Sequence, residues 1–230
     1  MSNKQLAQTI ALAAHNGQTR KDGEPYVHHP LRVAEMVEHY FPLDKDAPTV
    51  ALLHDVVEDS QYTLETLRLM GFNSNIVTAV DLLTRPNMLS REAYLTRLLN
   101  SGNATALRVK LMDAIDNSTW GYSDRFQDPK RPDAWISKRL RYRNLTEKLY
   151  GELLPLNPEI ESRLMPRIYY VWEQIDRKTV KDFRLAQGDR EAQSIHIGCI
   201  SPHAALIDDI QYFAKGWHED AFDVVILEAS

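Results

Sequence analysis

Residues 51–60 read "ALLHDVVEDS". Ala51, Leu52, Leu53, Val56 and Val57 have the pattern of a buried helix, yet four ionisable residues, His54, Asp55, Glu58 and Asp59, interrupt them. Isolated charges moved out of water cost at least several kcal/mol, about what holds a whole domain together, so something must compensate them. Positions four apart share a helix face, which stacks His54 with Glu58 and Asp55 with Asp59. A lone His-Asp pair would read as an exposed polar stripe, but here apolar residues flank the charges closely on both sides. A divalent cation would compensate the ligands among them, and a polar cavity holding water would receive the others.

Two further segments pose the same problem. "TRKDGEPYVHHPLRVAEMV" (19–37) brings His28 and His29 to the start of a helix, where one of them is a candidate imidazole ligand. "LRVKLMDAIDN" (107–117) is largely apolar, yet Lys110, Asp113 and Asn117 recur on one face at spacings of three and four. Together these segments suggest His29, His54, Asp55 and Asp113 around one ion, with Asn117 one turn further on as a substrate contact. Mixed imidazole and carboxylate donors suit a borderline or hard divalent metal such as Mn²⁺, with zinc or another divalent ion as the alternative. Water bound by such an ion becomes acidic enough to attack near neutral pH. Glu58 and Asp59 then remain to orient that water or to move protons.

The substrate is expected to be anionic. Arg20 and Lys21 precede the histidine pair, and "KRPDAWISKRLRYR" (130–143) sets six basic residues against Asp133. Guanidinium and ammonium groups suit phosphate oxygens, although the second cluster reads equally as a solvated basic face.

Composition bounds the rest. The chain has 230 residues, 43% hydrophobic and 26% charged, which are ordinary globular values and leave room for one sizeable core or for a domain plus an extension. A net charge of −5 argues against a general nucleic-acid binder. The single Cys199 excludes an intramolecular disulfide framework and a cysteine-based zinc site, and suits a reducing cytoplasm. The first residues, "MSNKQLAQTIALAAHNG", carry polar side chains throughout and so lack a signal-peptide core. No run approaches the roughly 18–20 apolar residues that a membrane span needs. A cytoplasmic protein with no membrane or nucleic-acid partner is the expectation.

The spacing of apolar residues and breakers predicts helices over 3–16, from Pro30 to about Tyr40, and over 47–58, 63–70, 73–82, 90–100, 104–118 and 134–153. Thr63 is the expected hydroxyl N-cap of its helix. Pro158 is placed to open a further helix to about Ala186. "SIHIGCI" (194–200) and "FDVVILEA" (222–229) read as strands with a helix between them. The expected organisation is thus a mainly α domain over 1–155 and an extension over 156–230 with a small strand–helix–strand unit. That extension is the candidate surface for a homo-oligomer or a protein partner.

Four stretches, "AHNGQTRKDGEPYVHHP" (14–30), "ALLHDVVEDS" (51–60), "VDLLTRPN" (80–87) and "VKLMDAIDN" (109–117), resemble in this order the boxes of the metal-dependent HD phosphohydrolases. More narrowly they resemble the hydrolase domain of the RelA/SpoT-type alarmone enzymes and the small alarmone hydrolases. The resemblance covers about residues 5–150. It implies an HD-domain helical bundle and Mn²⁺-dependent removal of the 3′-pyrophosphate from guanosine tetra- or pentaphosphate. It also implies metal ligation by His29, rather than His28, with His54, Asp55 and Asp113. Activation of the attacking water by Glu58 and Asp59, and nucleotide contacts from Arg20, Lys21 and Asn117, with Thr84 and Arg85 lining the pocket, are implied in the same way. No synthetase half is recognisable, which implies degradation without synthesis. Three positions depart from the family's pattern: Ala114 replaces a basic residue, Asp116 an aromatic or imidazole, and Thr119 an arginine. They surround the nucleoside side, so they bear on base preference, guanosine against adenosine, more than on the metal. Tyr142 or Arg143 matches a later substrate-facing position. The competing readings are an HD-type nucleotidase or phosphatase acting on another phosphorylated nucleotide, and a regulatory, antitoxin-like binding module using the extension.

Overall fold

The computed structural model describes residues 1–20, 23–121, 132–157, Leu164 and 166–168. Contacts divide the chain into two units, Met1–Asp116 with Thr146–Met165, and Asn117–Leu145 with Pro166–Ser230. Among the described residues the structure is helical, with no strand beyond one isolated bridge between Thr19 and Pro25. The elements are α1 (Asn3–Ala14), α2 (His28–Tyr40), α3 (Ala47–Leu53), α4 (Val56–Asp59), α5 (Leu64–Leu69), α6 (Ser74–Leu83), α7 (Arg91–Leu99), α8 (Ala104–Gly121) and α9 (Pro132–Leu153). No helix among the described residues is long and apolar enough to cross a membrane.

Local chemistry explains where these helices begin. Ser2 accepts the Gln5 amide while the Gln5 side chain accepts the Ser2 amide, a capping box that opens α1. Thr63, Asn73 and Ser90 each accept a backbone N–H three residues on, at 3.1, 2.9 and 3.1 Å, and start α5, α6 and α7. Pro30 lies in the first turn of α2, where its missing N–H costs nothing.

The first unit is built around α3, all seven of whose residues are buried. It packs against α1, α2 and α6, and Asp44 ties its N-terminus to α8. That carboxylate accepts the Ala47 amide at 3.1 Å, the Thr105 hydroxyl at 2.8 Å and an Arg108 N–H at 2.6 Å. From α8 come the fully buried Leu107, Leu111, Met112 and Ile115, so the helix that carries Asp113 is anchored in the core.

One expected helix is two. The run over 47–58 breaks at His54 and Asp55, and Asp55 adopts φ −103°, ψ −6°, between the main helical and extended regions. The Ala51 carbonyl, which a continuous helix would present to the Asp55 amide, accepts the imidazole Nδ1–H of His54 at 2.7 Å. A side chain that competes for a backbone acceptor in this way loosens the turn it bonds to. Of the helix expected from Pro158, Leu164 and residues 166–168 are described and helical. The two strands and the helix between them over 194–229 lie outside the described residues.

Leu52 is 1% exposed at the centre of this packing. Leu52→Ala is expected to cost about 2–5 kcal/mol, because α3 is held on several sides and the cavity cannot collapse. Urea or thermal denaturation measures it.

Candidate metal centre

Four elements converge on one place. The start of α2 supplies His29, the break between α3 and α4 supplies His54 and Asp55, and α8 supplies Asp113. One ligand atom from each of His29, His54 and Asp55 lies within 4.8 Å of the other two. His29 Nε2 is 3.8 Å from Asp55 Oδ2 and 3.1 Å from Asp113 Oδ1, and His54 Nε2 is 3.1 and 3.9 Å from the same two oxygens. Donors that share one ion at about 2.1 Å each lie roughly 3.0–3.5 Å apart, so these separations bracket a coordination sphere. The Nε2 atom of His54 is buried and, despite that 3.1 Å approach, misaligned for a hydrogen bond with Asp55. A buried imidazole nitrogen turned toward two carboxylates without hydrogen bonding is an arrangement that a cation completes. The donor set therefore fits a divalent metal ion.

The far nitrogen of each imidazole is pinned. His54 Nδ1–H donates to the Ala51 carbonyl at 2.7 Å, and His29 Nδ1 lies 2.7 Å from Asp116 Oδ2. Both bonds favour a proton on Nδ1, which leaves Nε2 as the donor to an ion. The carboxylates are held as well: the Tyr26 hydroxyl donates to Asp55 Oδ2 at 2.7 Å, and Lys110 Nζ sits 2.8 Å from Asp113 Oδ2.

The electrostatics follow from this crowding. Burial pulls the His54 pKa down, but the Asp55 and Asp113 carboxylates outweigh it and push it up to about 9. Burial opposes the charge of His29 in the same way, yet bonds to Asp113 and Asp116 raise its pKa. For Asp55 burial favours the neutral acid, and His54 and His29 override it to hold the carboxyl well below its usual range. Asp113 is likewise depressed, burial being overcome by Lys110 and the two imidazoles. Tyr26 moves the other way, its pKa raised far by burial and by the Asp55 carboxylate that it bonds.

Beside this cluster lie Glu58 and Asp59 on α4. Glu58 Oε2 accepts the Arg85 backbone N–H at 3.1 Å, and the Asp59 carbonyl accepts Gln18 Nε2 at 2.9 Å. Burial, followed by the charges of Asp55 and Glu58, raises the Asp59 pKa. Arg85 thus meets α4 through its backbone, while its guanidinium reaches the Leu89 carbonyl at 3.3 Å. Thr84, the C-cap of α6, gives its hydroxyl to the Val80 carbonyl at 2.9 Å. Arg20 follows the Thr19–Pro25 bridge, its N–H on the Glu24 carbonyl and its carbonyl on the amide of Gly23, whose φ of +86° suits glycine. Its guanidinium is 3.4 Å from Asp116. Asn117 follows Asp116 on α8, and Lys21 lies outside the described residues.

Sequence reasoning missed the residues that support this centre. Asp116 was read there as a change on the nucleoside side, yet its carboxylate faces His29 and takes two N–H groups of Arg32, at 2.8 and 3.1 Å. The available signal was spacing: Asp116 follows Asp113 by three residues, and Arg32 follows His29 by three, so each shares a helix face with an expected ligand. Tyr26 and Gln18 carried no comparable signal of their contacts, whereas Lys110 was already read on the face of Asp113, which it meets.

The HD domain family matches residues 7–115. A Haemophilus influenzae protein named guanosine-3′,5′-bis(diphosphate) 3′-pyrophosphohydrolase is 42% identical over 150 residues, which are 63% of this chain and 21% of that protein. The Escherichia coli bifunctional (p)ppGpp synthase/hydrolase SpoT is 30% identical over 153 residues, 64% of this chain and 20% of that one. The chain therefore spans about a fifth of the length of these relatives. A zebrafish relative, the guanosine-3′,5′-bis(diphosphate) 3′-pyrophosphohydrolase MESH1, is 28% identical over 165 residues, 69% of this chain and 89% of that protein. A solved metazoan orthologue of SpoT, described as hydrolysing ppGpp, superposes with a TM-score of 0.58 at 23% identity, covering 76% of this chain and 96% of the other. That likeness establishes a shared fold.

With no metal bound, His54 keeps its proton up to about pH 9, whereas an ion needs the bare nitrogen. Metal uptake is therefore expected to release protons, and its apparent affinity to rise with pH by about tenfold per unit for each proton displaced. The rise levels off past about pH 9. Stability of the metal-free protein runs the opposite way: the His54 contribution is complete below 6.5 and is lost as pH climbs through about 9. Calorimetric titration with a divalent metal salt in buffers of different ionisation enthalpy checks the first sign, and melts of chelated protein across the same range check the second.

Proposed function

We propose that this chain, whose residues 7–115 belong to the HD-domain family, is a manganese-dependent hydrolase that removes the 3′-pyrophosphate of guanosine tetra- and pentaphosphate or of a closely related purine alarmone. The observation that carries the reading is the convergence of His29, His54, Asp55 and Asp113, with Glu58 and Asp59 on the next short helix. The names of the relatives at 42% and 28% identity support the choice of substrate.

In this reading His29, His54, Asp55 and Asp113 hold the ion, and their mixed imidazole and carboxylate character suits Mn²⁺. When bound, the ion supplies Lewis acidity to the phosphate and makes water acidic enough to attack near neutral pH. Water adds at the phosphorus of the 3′-ester and the bond to the 3′-oxygen breaks, so pyrophosphate leaves and the nucleoside keeps a 3′-hydroxyl. Asp59 is the better placed to take the proton that water loses, because burial and the neighbouring charges of Asp55 and Glu58 raise its pKa. Glu58, one oxygen tied to the Arg85 amide, orients the water. Tyr26 and Lys110 keep Asp55 and Asp113 aligned, which holds the donors in place before substrate arrives. Arg20 and Lys21 meet phosphate charge, and Thr84, Arg85 and Asn117 complete the nucleotide site.

Purified protein with Mn²⁺ is expected to release pyrophosphate from ppGpp. Orthophosphate as the product would instead indicate a phosphatase acting on another nucleotide. Asp59→Asn is expected to lower kcat about 10²–10⁴-fold with metal affinity retained, and His54→Ala to lose both. Full activity in either variant overturns the assignment, and a panel of guanosine and adenosine 3′-pyrophosphates reads the base preference.

A further inference from the structure

We propose that Asp116 is a positioning residue of the metal centre, acting through His29, and that Arg32 in turn holds Asp116. The proposal rests on the reading of His29 as a metal ligand.

Asp116 is 5% exposed, and its partners leave it one orientation. Oδ2 meets His29 Nδ1 at 2.7 Å, Arg32 Nη2 at 3.1 Å and Arg20 Nη2 at 3.4 Å, while Oδ1 meets Arg32 Nε at 2.8 Å. The two Arg32 contacts are a bidentate grip that fixes the plane of the carboxylate. Arg32 is itself braced, its Nη1 lying 2.8 Å from Glu24 Oε1. The chain of contact runs from Glu24 through Arg32 and Asp116 to His29, and ends on the nitrogen 3.1 Å from Asp113 Oδ1.

A carboxylate on the far nitrogen does two things for an imidazole ligand. It sets the tautomer, with the proton on Nδ1 and the lone pair on Nε2, and it makes Nε2 more basic. His54 has a weaker form of the same device, since its Nδ1–H meets the neutral carbonyl of Ala51. The two imidazoles are thus unequal donors, and the stronger is the one that depends on Asp116. The Arg32 and Arg20 guanidiniums, 2.8 and 3.4 Å away, set two cations against this buried carboxylate and hold its oxygens facing donors.

The test is Mn²⁺ affinity, measured by calorimetry on the full chain. Asp116→Ala is expected to weaken binding about 10–100-fold, and Asp116→Asn, nearly isosteric but uncharged, by a smaller factor that is still at least about threefold. A second readout separates positioning from simple destabilisation. In the Co²⁺-loaded protein each liganding imidazole has its own downfield exchangeable Nδ1–H resonance. Asp116→Asn is expected to shift or lose the His29 signal and to leave the His54 signal, whose partner is a backbone carbonyl, in place. Should Asp116→Ala not fold, by circular dichroism, Asp116→Asn decides alone. Affinity within twofold of wild type in a folded variant, or two unmoved imidazole resonances, overturns the positioning role. Wild-type protein that binds neither Mn²⁺ nor Co²⁺ would instead overturn the metal-centre reading itself.

Discussion

Charge balance inside an apolar core is the constraint on which this centre depends. Asp55, Asp113 and Asp116 bring three carboxylates among helices whose neighbouring positions are Leu, Val, Ile and Met, and each needs positive charge close by. Asp113 has Lys110 and Asp116 has Arg32, both permanent cations. Asp55 is different. Its contacts among the described residues are the two imidazoles, 3.1 and 3.8 Å away, and the neutral hydroxyl of Tyr26. The cluster is therefore short of fixed positive charge at one place, between His29, His54 and Asp55. A proton on His54 supplies it when no ion is present, and a divalent cation that displaces that proton supplies more. The raised pKa of His54 and the fitness of the site for a metal are two expressions of one imbalance.

Much of the fold was legible because its signals are local. The helix starts near residues 3, 63, 73 and 90 follow from apolar spacing and breakers, and Thr63 accepts the amide expected of an N-cap, as Ser2, Asn73 and Ser90 do at theirs. The apolar spacing of residues 104–118 places Leu107, Leu111 and Ile115 in the core, as a helix of that length requires. The break at His54 and Asp55 was not legible. Periodicity continues straight through it, and only the contact between an imidazole and the Ala51 carbonyl marks the interruption.

The side chains that converge here were readable for a further reason: polar residues in an apolar run are conspicuous wherever they occur. Most of their supports were not, since apart from Lys110, three residues from Asp113, they act through contacts across the chain. Asp116 and Arg32 are separated by 84 positions, and Tyr26 and Asp55 by 29. Asp116 illustrates the difficulty. Its departure from the family's pattern, beside Asn117, put it on the nucleoside side, but a helix turns about 100° per residue, so adjacent residues face different surroundings. The three-residue step back to Asp113 is the better guide, and it points Asp116 toward His29.

The break also alters how "ALLHDVVEDS" divides its labour. A continuous helix would have set His54 and Asp55 one turn from Glu58 and Asp59 through its own hydrogen bonds alone. Part of that relation survives, because the Asp59 amide still bonds the Asp55 carbonyl at 2.9 Å. But α4 is four residues long, too short to persist by itself. Tertiary contacts hold it instead, the Gln18 amide on the Asp59 carbonyl and the Arg85 backbone on Glu58, with a local bond from the Ser60 hydroxyl to the Val56 carbonyl at 2.6 Å. Gln18 belongs to the first of the four sequence stretches and Arg85 to the third, while α4 lies in the second. Segments far apart in the chain are thus needed together, because the short helix that carries both acids is kept in place by the other two.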